Sequence, residues 1–180
     1  MKPTFNKVFI ATSLDGFIAD KHGKIDFLYT FPDPVDDDMG YHDFMSSVDA
    51  ILMGRKTYET VIGFGIEWPY KIPVFVWSST LNAIPAELQE KVQIVSGSIE
   101  EILEAIHQQG HDALYIDGGQ TIQTFLQHDL IDEMIITTIP ILLGNGIRLF
   151  GSLPNPLVFN CMESKVFSNK TGQFRYIRSK

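Results

Sequence analysis

Four short segments carry the residue types that hold phosphate: Gly54-Arg55-Lys56-Thr57, Ser78-Ser79-Thr80, Ser96-Gly97-Ser98 and Gly118-Gly119-Gln120-Thr121. Glycine lets backbone approach a ligand closely. A helix that starts just after it offers unpaired N–H groups at the positive end of its dipole. Arg55 and Lys56 add charge, and the hydroxyls can donate to phosphate or ribose oxygens. One such turn is commonplace. Four of them point to an extended, multiply phosphorylated ligand such as a dinucleotide. The usual dinucleotide turn is absent, because Gly63-Phe64-Gly65 is followed by Trp68 where a third glycine belongs, and Gly144-Asn145-Gly146 by Leu149. Gly54 to Thr57 ends like a triphosphate-binding loop but lacks its glycine-rich lead-in.

Other chemistries find little support. His107 and His111 are about one turn apart, but Gly110 separates them, so no metal site is expected. No Gly-x-Ser-x-Gly elbow is present. Cys161 lies in an apolar stretch and reads as inert, Trp77 reads as packing, and Phe27 and Trp68 read as core residues ahead of the alternative, aromatic walls for a flat ring.

These turns need strands to place them, and the hydrophobic pattern supplies strands. Apolar, β-branched runs occur at Lys7–Thr12, Asp49–Met53, Pro73–Trp77, Val92–Val95, Ala113–Ile116 and Glu133–Ile139. Three of the four phosphate turns follow such a run directly, and Gly118-Gly119 follows one through Asp117. Helices are expected from Pro34 to about Ser47, at Arg55–Ile62, at Ser98–Gln109 and at Gln120–Gln127. The third is the best marked, with Ser98 and Glu101 as a capping box, one isoleucine- and leucine-rich stripe, and Gly110 at its end. Ser13–Ile25 and the glycine-rich stretch up to Gly146 read as loops. The last two strands, about Val158–Phe167 and Phe174–Arg178, form a hairpin around Asn169-Lys170-Thr171-Gly172. Strands alternating with helices predict an α/β chain with a mostly parallel sheet, and ligands of such sheets bind beyond the carboxyl ends of the strands.

Length and composition fit one domain over residues 1–180. The 22 acidic residues exceed the 14 basic ones, giving a formal charge of −8, which argues against nucleic acid and anionic membrane as partners. One cysteine excludes an intramolecular disulfide, and no apolar run reaches the roughly 18 residues of a membrane span. A cytoplasmic protein is expected. The edge strands of the terminal hairpin favour a homodimer.

The segments Ala11-Thr12-Ser13-Leu14-Asp15-Gly16-Phe17-Ile18-Ala19, Gly54 to Glu59, Ser78-Ser79, Asp117-Gly118-Gly119-Gln120 and Ile141 to Phe150, in that order, resemble the dihydrofolate reductase superfamily. They are most similar to the branch that holds the riboflavin-biosynthesis reductase (RibD C-terminal) domain and its stand-alone relatives. The resemblance implies a dihydrofolate-reductase-like three-layer α/β/α fold with an antiparallel C-terminal hairpin, and an NADPH-dependent reductase. By that match Ala11 and Ile18 flank the nicotinamide, and Gly54, Arg55, Lys56 and Thr57 hold phosphates. Ser78 and Ser79 meet the adenosine ribose and its 2′-phosphate, while Gly118, Gly119, Gln120, Thr121 and Ile122 cradle the pyrophosphate. It also implies a cis peptide between Gly118 and Gly119.

Asp38 matches the pterin-binding carboxylate of the folate enzymes, although Asp36 to Asp38 also read as a plain helix cap. Asp15 or Asp38 is a possible proton donor, and Leu143 and Gly144 shape the substrate cleft. The riboflavin reductases usually carry Glu where this chain has Asp117, and Lys where it has Phe9. The implied activity is hydride transfer to a pyrimidine- or pterin-like substrate, similar to 5-amino-6-(5-phosphoribosylamino)uracil reductase. A 7,8-dihydrofolate reductase and a non-catalytic NADP-binding protein are the alternatives.

Overall fold

The two periodicities become two kinds of element. A computed structural model describes residues 5–31 and 37–180. Its strands are β1 (Phe5–Ser13), β2 (Phe17–Ala19), β3 (Ala50–Gly54), β4 (Val74–Trp77), β5 (Val92–Val95), β6 (Ala113–Asp117), β7 (Glu133–Ile139), β8 (Ile147–Arg148), β9 (Phe159–Val166) and β10 (Gly172–Arg178). The helices are α1 (Tyr41–Ser46), α2 (Arg55–Gly63), α3 (Ile99–Gln108) and α4 (Gly119–Gln127).

Eight strands form one sheet in the order β5-β4-β3-β6-β1-β7-β10-β9. Its first six strands are parallel, and β10 runs antiparallel to both β7 and β9. The strand ends are in step: Met53 pairs with Asp117, Gly54 with Trp77, and Trp77 with Val95. The turns after β3, β4, β5 and β6 therefore emerge along one edge, as the sequence predicts.

Because neighbouring residues on a strand point to opposite faces, each strand feeds two cores. Val8, Leu52, Phe75, Leu114 and Ile116 pack on one face beneath α3 and α4, which contribute Ile99, Ile102, Ile106, Ile122 and Phe125. Ile51, Met53, Val74, Val76 and Tyr115 pack on the other face with Phe44 of α1 and Tyr58 of α2. Each buried isoleucine of α3 contributes about 1.5–3 kcal/mol. Its capping box, formed by Ser98 and Glu101 as expected, adds about 1 kcal/mol.

Two expectations need correction. The first helix starts at Tyr41, because Gly40 is left-handed (φ 82°) and Asp38 caps the amides of Gly40 and His42 at 3.0 and 2.8 Å. Pro34 to Asp36, its expected start, lie outside the described residues. Two segments read as loops contain strands: Phe17 pairs with Arg148 and Ala19 with Ile147, making a small antiparallel β2-β8 sheet. Cys161, on edge strand β9, is exposed. No helix among the described residues is long and apolar enough to cross a membrane.

Candidate functional site

Gly54 and Gly118, the last residue of β3 and the first after β6, bring the N-termini of α2 and α4 together. A methyl on Gly118 would collide with Thr57 Oγ1, and one on Gly54 would lie 3.0 Å from Thr121 Oγ1. Neither helix has a side-chain N-cap or an acidic residue in its first turn. Their first-turn amides therefore have no acceptor from a capping side chain, and both dipoles present their positive ends to the same place. Arg55, paired with Glu59 at 3.5 Å, and exposed Lys56 stand at this mouth. The Gly118–Gly119 peptide, expected to be cis, is trans.

The turn after β5 is different. Glu101 accepts the Ser98 amide at 2.8 Å, and its carboxylate fills the space beside Gly97, 2.6 Å from where a side chain would start. A carboxylate in that position repels phosphate, so Ser96-Gly97-Ser98 drops out of the predicted set. Ser78 is buried, and its hydroxyl accepts the amides of Thr80 and Leu81 at 3.1 and 2.9 Å. It can still donate outward, and Ser79 beside it is exposed.

The remaining expected cofactor residues cluster at α4. Ile18, on β2, lies against Gly119, 2.5 Å from where a Cβ would stand. Thr121 is buried at the α4 N-terminus, Gln120 is exposed, and Ile122 is a core residue whose amide bonds Gly118 O at 2.9 Å. Ala11 sits on β1 opposite Thr137 of β7. The residues present thus fit a dinucleotide: two uncapped helix starts for the pyrophosphate, two cations beside them, and glycines where backbone must come close.

Asp15 has a different geometry from the one a proton donor needs. It accepts the Ser13 hydroxyl at 2.6 Å and the amides of Leu143 and Gly144 at 3.1 and 2.7 Å. Those hydrogen bonds, the Ser13 one foremost, hold its pKa down to about 2. It therefore ties the Ser13–Gly16 loop to the 141–149 segment and occupies the amides of Leu143 and Gly144. The backbone bonds Leu14 N to Ile141 O (2.8 Å) and Leu149 N to Gly16 O (3.0 Å) complete the strap. Gln123 of α4 holds Arg148 O at 2.8 Å, and the Arg148 guanidinium stacks 4.6 Å from the centre of Phe17. Asp38 is exposed, and both its oxygens serve the cap of α1.

The sequence reading missed a half-buried carboxylate at the end of β6. Asp117 ends β6 on the same face as Tyr115, and burial raises its pKa to about 6, against the pull of the Gly118 amide (2.7 Å) and Tyr115. Among the described residues, no basic side chain acts on it. Tyr41 and Tyr70 both feel its charge, and Tyr115 donates its own hydroxyl to Phe9 O at 2.9 Å. Tyr41 meets Phe9 edge-on, and Trp68 bridges Tyr58 and Tyr70. The visible signal was a carboxylate at a strand's carboxyl end. Nothing in the spacing of Tyr41, Tyr70 and Tyr115 announces that they meet.

Comparison with known proteins agrees with this architecture. Residues 6–172 match the model of the RibD C-terminal domain. The chain is 33% identical over 174 residues to the uncharacterized protein YwjB of Bacillus subtilis strain 168, covering 96% of this chain and 97% of that one. A crystal structure of a candidate riboflavin biosynthesis protein from Shewanella sp. PV-4 superposes with a TM-score of 0.93 at 48% identity, over 98% and 99% of the two chains. The Thermotoga maritima diaminohydroxyphosphoribosylaminopyrimidine deaminase/5-amino-6-(5-phosphoribosylamino)uracil reductase shares the fold, with a TM-score of 0.73 at 16% identity over 99% of this chain and 57% of that protein. With a sheet of this order and a model match spanning β1 to the start of β10, the chain belongs to the RibD C-terminal domain family.

Proposed function

We propose that the protein is an NADPH-dependent reductase of a pyrimidine- or pterin-like ring. The observation that carries this reading is the meeting of two uncapped helix starts at Gly54 and Gly118, beside Arg55 and Lys56. The first-turn amides of α2 and α4 would take the pyrophosphate, and Arg55, Lys56, Ser78 and Ser79 the 2′-phosphate and its ribose. Bound there, NADPH would supply a hydride to the carbon of a carbon–nitrogen double bond and leave as NADP⁺, so the ring nitrogen must gain one proton.

The chain's own residues prepare that exchange. Ile18 and the strap that Asp15 fastens keep water from the cleft and fix the nicotinamide side. Asp117, which holds a proton up to about pH 6, is the group suited to deliver one near neutral pH. Asp15 is too acidic for that task. Fluorescence titration with NADPH tests the reading: micromolar binding that Arg55→Ala weakens is expected. No binding at millimolar cofactor would reject it.

A further inference from the structure

The half of the cleft around Asp117 has a chemistry of its own. Phe9, Tyr41, Tyr70 and Trp68 wall it with rings, and the half-buried carboxyl of Asp117 among them meets no basic side chain among the described residues. On the same sheet face, Gln173 spans from Met39 O (3.1 Å) to Thr137 Oγ1 (3.0 Å), closing the far side with uncharged polar atoms. Among the described residues, the cations that the sheet strands themselves present on that face are engaged. Arg175 and Lys7 pair with Glu133 at 2.6 and 3.7 Å, and Lys165 pairs with Asp37 at 3.4 Å. The residues leading into α1 are acidic, and Asp38 among them is exposed.

We propose that this half of the cleft takes a flat, uncharged, nitrogen-rich ring with no phosphate attached, its N–H edge read by Asp117 and its face by Tyr41 and Tyr70. The inference rests on the reductase reading for the location of the cleft and names the substrate class that cleft selects. A phosphate dianion would lie among groups that repel it, with Glu133 and Asp37 holding the cations it needs. A neutral ring stacks on aromatic walls at little desolvation cost. Its amide or amino N–H meets a carboxyl that otherwise has one amide and one phenol for company. The anion-binding groups, Arg55 and Lys56 and the two helix starts, all belong to the cofactor half. The division of charge thus separates two ligands that a reductase must hold side by side.

Calorimetric titration of the full-length protein, saturated with NADPH, tests this with one ring in two forms, uridine and uridine 5′-monophosphate, and with 6-hydroxymethylpterin as a second neutral ring. A neutral ring is expected to bind, and the added phosphate to weaken uridine. Asp117→Asn should weaken the neutral ring about tenfold through loss of one charge-assisted hydrogen bond. Tyr70→Leu, which leaves the carboxylate in place, should weaken it through loss of stacking, and so serves if Asp117→Asn folds poorly. Tighter binding of the monophosphate than of uridine overturns the inference, as does silence of both neutral rings at millimolar concentration. NADPH binding in the same samples separates the two ideas. If the cofactor fails to bind, the reductase reading falls; if it binds while the phosphate form wins, only the substrate class falls.

Discussion

Gly118 offers a direct test of whether the two helix starts meet. It sits at φ 91° and ψ 134°, a region essentially confined to glycine, and an alanine there costs about 1–3 kcal/mol in backbone strain. The added methyl would also overlap Thr57 Oγ1, and overpacking of this kind costs a further 1–3 kcal/mol or so. Thr57→Ala alone removes a half-buried hydroxyl with no hydrogen-bond partner among the described residues, and should cost about 1 kcal/mol or less. In the double variant the strain stays and the overlap goes. The two changes should therefore be less harmful together than their sum, by about 1–2 kcal/mol. Urea unfolding of the four proteins, followed by tryptophan fluorescence, measures this coupling. Additivity within about 0.5 kcal/mol would mean that Thr57 does not press on Gly118, and the shared anion site would lose its geometric basis.

Two further outcomes follow from the carboxylates. Asp117 has a folded pKa near 6, above its unfolded value of 3.8, so the folded state loses stability as pH rises through that window and keeps the deficit above it. The roughly two-unit shift corresponds to on the order of 2 kcal/mol after allowance for partial exposure, and Asp117→Asn should gain on the wild type by about that much between pH 4 and 7. A stability difference that does not change with pH would contradict the burial argument. For Asp15, Asp15→Ala should speed hydrogen exchange at the amides of Leu143 and Gly144 while leaving those of β6 protected. Unchanged exchange at both amides would show that the strap holds without it.

How far the sequence reveals this molecule depends on the range of the interactions involved. The parallel strands and α3 are legible because their signals are local: apolar runs bounded by turns, and a Ser98–Glu101 box followed by isoleucines on one face. The β2-β8 sheet is not, because strands of three and two residues have no period. Only Gly146 lying against Ala19 O, far apart in the chain, brings them into register. The half proposed for the cofactor rests on local signals, glycines and cations next to helix starts. The half proposed for the substrate does not, as it depends on Tyr41, Tyr70 and Tyr115 arriving from a helix, a loop and a strand around Asp117.

The serine-glycine-serine turn shows where such reasoning must choose. Ser98 was readable both as a helix cap and as part of a phosphate turn, and the two roles exclude each other. A cap closed by its own glutamate has spent its amides and placed a negative charge where an anion would sit. The helices after Gly54 and Gly118 lack any such residue, with no acid in either first turn. An uncapped helix start next to a glycine is costly unless something else satisfies its amides. Two of them facing each other double that cost within one small volume, in a chain that caps α3 in full a few strands away. What distinguishes the anion site from the ordinary turn is thus the missing cap rather than the glycine, and a dinucleotide's pyrophosphate is the ligand whose size and charge would replace both caps at once.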